Sequence, residues 1–292
     1  MRERIEYLAF RLASALAGLV PQKVMLRLGE LGALVAYRVD RRRRAMAARH
    51  MLRVLGEGSN AGAAAKGVFM AYGRYWAEVF WFRPRHEKPM LDRTTIEGLE
   101  TVLGIKRRGS GMVLALPHMG NWEMAGAFAR RHGIEVVAVA EALPNRRIAE
   151  WFIGLRARLG IEVLLTDAKR RLSTSLVEAL RRGKAVALVA DRDLARRGVP
   201  VVFFGEKTTL PAGPASLALR AGVPLVPVGT YFEDGTGHRI VVLEPLEPPP
   251  GGSEPERVAL LTQALARRFE DLIRKAPYQW HLVQPNWPSD RP

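Results

Sequence analysis

The 292-residue sequence contains no cysteine, which excludes disulfides, thiolate nucleophiles and Cys-ligated metals and leaves stability to packing. Acidic residues are scarce beside basic ones: 29 Asp and Glu stand against 45 Lys and Arg, a net charge of +16. Such an excess attracts polyanions, either nucleic acid or the anionic headgroups of a cytoplasmic leaflet, and composition alone does not choose between them. The uncharged apolar run from Leu12 to Val20 stops at Pro21 and is bracketed by Arg11 and Lys23. It falls short of the roughly 20 apolar residues a spanning helix needs. It also lacks the small-residue cleavage site of a secretory signal. Neither a Gly-x-Gly-x-x-Gly nor a phosphate loop occurs, and His50, His86, His132, His238 and His281 show no metal-ligand spacing. The expectation is therefore a protein without metal or nucleotide coenzyme.

What is present begins with helical periodicity. Ile5, Leu8, Ala9, Leu12, Leu16 and Leu19 recur at three- and four-residue steps, the pattern of an amphipathic helix. A second helix is expected over 22–38, leading into Asp40-Arg41-Arg42-Arg43-Arg44 and then Arg49 and Arg53. Residues 1–60 hold twelve Lys and Arg against five Asp and Glu, a net +7. An apolar helix followed by a basic block suits an anionic membrane surface; a solvated basic face beside a core helix fits the same pattern. Phe69, Tyr72, Trp76, Val79 and Phe80 continue the helical spacing up to Pro84. They suit the wall of an apolar groove, contact with a membrane, or ordinary core.

From residue 94 the texture becomes alternating. Strands are expected at Gly111–Leu116, Glu135–Val139, Glu162–Leu165, Ala185–Ala190, Leu225–Tyr231 and Arg239–Leu243, with helices near 122–132, 146–159, 170–182, 211–221 and 255–275. This order predicts an α/β fold: a mostly parallel central sheet flanked by helices on both faces, behind an N-terminal amphipathic helical region. We read 1–292 as a single domain, with 1–90 facing the membrane and 94–292 forming the catalytic core.

The segment His118-Met119-Gly120-Asn121-Trp122-Glu123 carries the candidate chemistry. His118 ends a buried strand, where open α/β sheets place their ligands, and Asn121 is a natural cap for the helix that follows. With Gly120 and Asn121 as a turn, the Glu123 carboxylate is expected to reach one imidazole nitrogen while the other meets an acceptor hydroxyl. Backbone N–H groups of the helix start, or the Asn121 side chain, would stabilise a thioester oxyanion. The alternative is a structural histidine followed by a glutamate that complements the helix dipole.

Leu116-Pro-His-Met-Gly-Asn-Trp-Glu123 resembles the His-x-x-x-x-Asp/Glu block of bacterial lysophospholipid acyltransferases of the lipid A type. Similar segments follow in order at Ile96–Glu100, Ala190-Asp191-Arg192-Asp193-Leu194, Phe203-Phe204-Gly205, Leu210–Pro214 and Gln279-Trp280-His281. The Asp-Arg-Asp-Leu block and the tail are most like the actinobacterial branch that acylates phosphatidylinositol mannosides. The resemblance implies a membrane-associated O-acyltransferase on the cytoplasmic face, using acyl-CoA or acyl carrier protein as donor substrate and a glycolipid as acceptor, without cofactor or nucleic-acid partner. It implies His118 as base, Glu123 as its partner, with glutamate where the branch often has aspartate, and Asp191 or Asp193 as a second acid. Gly120, Asn121, Arg156, Arg192 and Asp193 are implied on the oxyanion or headgroup side. Phe203, Phe204 and Gly205 are implied at the donor groove. A basic nucleic-acid binder and a hydrolase using the same His–Glu pair are the competing classes.

Overall fold

The computed structural model describes residues 2–140, 145–165, 169–193 and 196–291; Leu194 of the Asp-Arg-Asp-Leu block lies outside them. Five helices come first: α1 (Arg2–Ala17), α2 (Gln22–Val39), α3 (Arg41–Leu55), α4 (Ala61–Trp81) and α5 (Pro84–Leu91). Then follow β1 (Thr94–Glu97), α6 (Leu99–Arg107), β2 (Met112–Leu116), α7 (Trp122–Arg131), β3 (Val136–Ala140), α8 (Arg146–Arg158), β4 (Ile161–Leu165), α9 (Lys169–Arg181) and β5 (Ala185–Val189). The chain continues through β6 (Val199–Phe203), β7 (Glu206–Leu210), α10 (Gly213–Ala221), β8 (Leu225–Phe232), β9 (His238–Val242) and α11 (Glu254–Lys275).

Seven strands form one sheet in the order β1-β9-β8-β2-β5-β3-β4, with every pair parallel except β8–β9. The mostly parallel sheet matches expectation, and all six expected strands are in it. Three strands were not foreseen. β1 is a four-residue edge strand, and β6 and β7 form a separate antiparallel hairpin. In β2 the residues alternate: Val113 and Ala115 join one buried cluster, whereas Met112 and Leu116 join the other. Because both sides are apolar, both must be covered. Buried residues of α9, α10 and α11 fill the first cluster, and those of α6, α7 and α8 fill the second.

α2 packs on α4 through its smallest residues. A Cβ at Gly29 would meet the Gly73 carbonyl and the Ala77 Cβ, each at 2.7 Å, and one at Gly73 would meet the Gly29 carbonyl at 2.5 Å. Five large side chains of α2 face away: Val24, Leu28, Leu31, Val35 and Val39 are 48–76% exposed. Leu8, Leu12, Leu16 and Leu19 are equally open, at 55–72%. Among the described residues no helix is long and apolar enough to cross a membrane.

Candidate active site

β2 and β5 are neighbours with Leu116 opposite Val189. His118 and Asp191 each lie two residues beyond that pair, so two adjacent strands deliver them to the same height at the C-terminal edge of the sheet. His118 Nδ1 donates to Asp191 Oδ1 at 2.5 Å, and Trp280 Nε1 donates to Asp191 Oδ2 at 2.7 Å. Asn286 Nδ2 reaches the Asp191 carbonyl at 3.2 Å. Asp191 is wholly buried, which alone would raise its pKa; the His118 ring and the Trp280 N–H outweigh burial and hold it below the usual carboxylate range. The His118 side chain is 22% exposed. Its Nε2 has no partner among the described residues and is free to meet a substrate.

The loop after His118 is clamped from both sides. Gln279–His281 lies antiparallel to it: the His281 N–H donates to the His118 carbonyl at 2.7 Å and the Gly120 N–H to the Gln279 carbonyl at 3.1 Å. From β8, Thr230 Oγ1 donates to the Met119 carbonyl at 2.5 Å. Gly120 has φ +55, and a Cβ there would sit 2.2 Å from the Thr230 carbonyl oxygen, so only glycine fits. Because its N–H is taken by Gln279, Gly120 is not available as an oxyanion donor.

The structure gives Glu123 a different partner from the expected one. Glu123 starts α7 facing α8, and Arg156 binds it with Nε at 3.0 and 3.1 Å and Nη2 at 2.7 Å. The imidazole Nδ1 belongs to Asp191. Burial works against the Arg156 charge, but the Glu123 carboxylate overcomes it and raises its pKa. Asn121 stands at the N-cap of α7 without capping it. Its Nδ2 donates instead to Glu78 Oε2 at 2.7 Å. Asp193 is also turned away from the histidine, accepting from the Gly198 N–H at 2.6 Å and the Thr209 hydroxyl at 2.9 Å. Arg192 is half-buried, with its Nε unpartnered.

Phe203 and Phe204 do not line the apolar opening beside His118. They pack against Trp280 and Trp287 in the other core cluster, with Phe203 stacked on Trp287 at 5.6 Å. Gly205 completes the β6–β7 turn at φ +77. The apolar cavity that is present lies between the sheet and helices α7 and α8. It holds about 640 Å³ of empty space including its mouth and is lined by Leu114, Leu116, Ala129, Ala138 and Val228, among others. Small residues on both layers leave that space open. Trp122, Glu123 and Arg156 edge the cavity, and Trp122 meets the His118 ring edge-on at 5.5 Å.

Two further buried groups support the site. Glu78 on α4 is 1% exposed and binds His238 Nε2 at 2.8 Å and Arg74 Nε at 3.1 Å as well as Asn121. Burial would raise its pKa, but these donors hold it down. A lone carboxylate inside the apolar run of α4 was the signal for it, because such a charge is almost never buried without partners. His281 is buried among Tyr72, Tyr75, Trp122 and Phe232, with neither ring nitrogen partnered. Burial lowers its pKa to about 3, so it stays neutral.

The family model for bacterial lipid A biosynthesis acyltransferases matches residues 3–289. This chain belongs to that family. It is an O-acyltransferase, and the hydrogen-bonded His118 beside an apolar cavity is to be read in that light. Two phosphatidylinositol mannoside acyltransferases of Mycobacterium tuberculosis, from strains CDC 1551 / Oshkosh and ATCC 25618 / H37Rv, are each 43% identical to it over 225 residues. Each match covers 75% of this chain and 69% of the relative. The phosphatidylinositol mannoside acyltransferase of Mycolicibacterium smegmatis is 38% identical over 222 residues, covering 75% of this chain and 71% of its own.

Proposed function

We propose that this acyltransferase moves a fatty acyl group from a thioester donor, acyl-CoA or acyl carrier protein, to a hydroxyl of a phosphatidylinositol mannoside, with His118 as general base. The observation that carries the mechanism is the chain Trp280–Asp191–His118, which leaves Nε2 open beside an apolar cavity. Asp191 fixes the tautomer with the proton on Nδ1, so the Nε2 lone pair accepts the proton of the attacking hydroxyl. The oxygen bonds to the thioester carbonyl, whose electrons move onto its oxygen. On collapse the carbon–sulfur bond breaks, and the imidazolium returns its proton to the departing thiolate. Trp122 and Glu123 open α7, so their N–H groups lack intrahelical partners and are the candidate donors to the oxyanion. The buried Asp191 carboxylate stabilises the imidazolium between the two transfers. No serine or cysteine nucleophile is needed.

The mannoside acceptor is supported by the names of the relatives, and the acyl chain by the cavity. Peripheral attachment to the cytoplasmic face of the cell membrane is supported by the open leucine and valine stripe of α1 and α2 and by the adjoining Arg41–Arg44 block. Incubation with radiolabelled acyl-CoA and a panel of mannoside and lysophospholipid acceptors tests the reading. The wild type should yield acylated mannoside. The His118→Ala variant should yield none while keeping the native fold by circular dichroism. Undiminished turnover by that variant would sink the mechanism, and release of free fatty acid alone would mean hydrolysis.

A further inference from the structure

A second, wider groove opens between α3, the segment that follows Asp191 and the tail. Its space, counted with the mouth, is about 1440 Å³, and four arginines line it: Arg42 and Arg49 from α3, Arg196 from the loop before β6, and Arg291 from the tail. Two carboxylates, Asp193 and Asp290, also line it, against the four arginines. Asp193 serves Gly198 and Thr209. Asp290 accepts from the Asn286 and Trp287 N–H groups and pairs with Arg53 at 2.8 Å, while Arg49 stays 4.0 Å away. The guanidinium groups of Arg42, Arg196 and Arg291 have no hydrogen bond or ion pair among the described residues. Cations from three separate segments thus converge without enough anion. Arg196 is held there at φ +54, a conformation non-glycine residues seldom adopt.

We propose that this groove binds a phosphate ester. Guanidinium groups match phosphate oxygens in geometry as well as charge, and four of them against two carboxylates leave a net positive charge for an anionic ligand. The groove is tied to the reacting centre through Asp191: Asp193 lies two residues beyond it, and lining residue Pro285 precedes the Asn286 that binds the Asp191 carbonyl. The apolar cavity is built instead on the His118 side, from Leu116 and Trp122. A substrate with an apolar end and a phosphorylated end has a place for each. The inference rests on the acyl-transfer reading for what carries the phosphate, since the nucleotide of a CoA donor and the phosphodiester of a phosphoinositide acceptor share this chemistry.

Calorimetric titration of the full chain with adenosine 3′,5′-bisphosphate and with glycerophosphoinositol tests it and separates the two sources. The Arg42→Gln/Arg196→Gln variant should bind one probe at least tenfold more weakly than wild type. A charge-matched control, Lys66→Gln/Arg267→Gln, should stay within twofold. Loss for the bisphosphate assigns the groove to the donor, and loss for glycerophosphoinositol assigns it to the acceptor. In wild type, the bound probe should also protect Arg42, Arg49, Arg196 and Arg291 from phenylglyoxal, read by mass spectrometry without any substitution. Absence of binding and of protection by both probes overturns the proposal, as does equal loss in the two variants. Loss of anionic-vesicle binding with probe affinities intact would make the groove a membrane patch and overturn it too. Because no turnover is measured, such a failure leaves the acyl-transfer reading standing; that reading fails on its own if His118→Ala retains transfer.

Discussion

At Asp191 one carboxylate does two things: it accepts from His118 on one oxygen and from Trp280 on the other. The isosteric Asp191→Asn keeps an acceptor for Trp280 but turns an N–H toward Nδ1, which forces the proton onto Nε2 and removes the base. We expect kcat to fall about 10²–10⁴-fold, with little change in melting temperature, measured by steady-state acyl transfer and calorimetry. Glu123 should behave differently. Glu123→Gln strands the buried Arg156 charge, a loss of about 3–5 kcal/mol, whereas Glu123→Gln/Arg156→Met should recover most of it. If the double variant regains stability and keeps kcat within tenfold, Glu123 holds α7 against α8. If stability returns without activity, the carboxylate takes part in the chemistry. The sequence made His118 legible because a strand ending in histidine is a local pattern. Its partner was named only through the resemblance, as Asp191 or Asp193, because Asp191 reaches it through the register of β2 on β5, 73 residues along the chain, and local spacing favoured the nearby Glu123.

Six strands of the sheet and helices α7 to α11 were legible from their period, since apolar residues must recur wherever an element is covered, whereas α6 was not expected. β1, β6 and β7 were not: β1 spans four residues, and the β6–β7 hairpin alternates exposed and buried positions around Phe204-Gly205. The aromatic tail was noticed as a resemblance, but its work is visible only in three dimensions. It joins α3 through His50, whose Nε2 donates to the Gln284 carbonyl at 2.9 Å. Burial lowers the His50 pKa from 6.5 to about 4, so the folded protein keeps it neutral while the unfolded chain protonates it first. Stability should therefore be whole above about pH 6.5 and decline as pH falls toward 4, by up to about 3 kcal/mol for this group. His281 adds to the same window. In calorimetric scans across that range, His50→Phe should flatten the slope while lowering the plateau; an unchanged slope would mean that His50 does not set it.

For the whole molecule, the governing features are the charge of +16 and an outward apolar stripe. Periodicity showed that α1 is amphipathic, but it cannot show which way an apolar face turns. The glycine and alanine contacts of α2 with α4 decide that by occupying the inner side. Anionic vesicles should bind the protein, with a salt-sensitive share from the arginines and a salt-resistant share from the stripe. Leu12→Glu/Leu28→Glu should weaken vesicle partitioning at least tenfold per substitution, as expected from about 1.5–3 kcal/mol for each leucine withdrawn from an apolar phase. Co-sedimentation at low and high salt measures both shares. Equal partitioning of wild type and variant would remove the stripe from membrane binding.

The clamp of Gln279–His281 on the His118 loop also sets an order of assembly. During synthesis every strand of the sheet emerges before residue 277, so a nascent chain can form the sheet while Asp191 still lacks Trp280 and the His118 carbonyl still lacks His281. The hydrogen bonds around the His118–Asp191 pair are complete only when residues 279–281 dock. Docking of Gln279–His281 therefore follows formation of the sheet edge that it clamps.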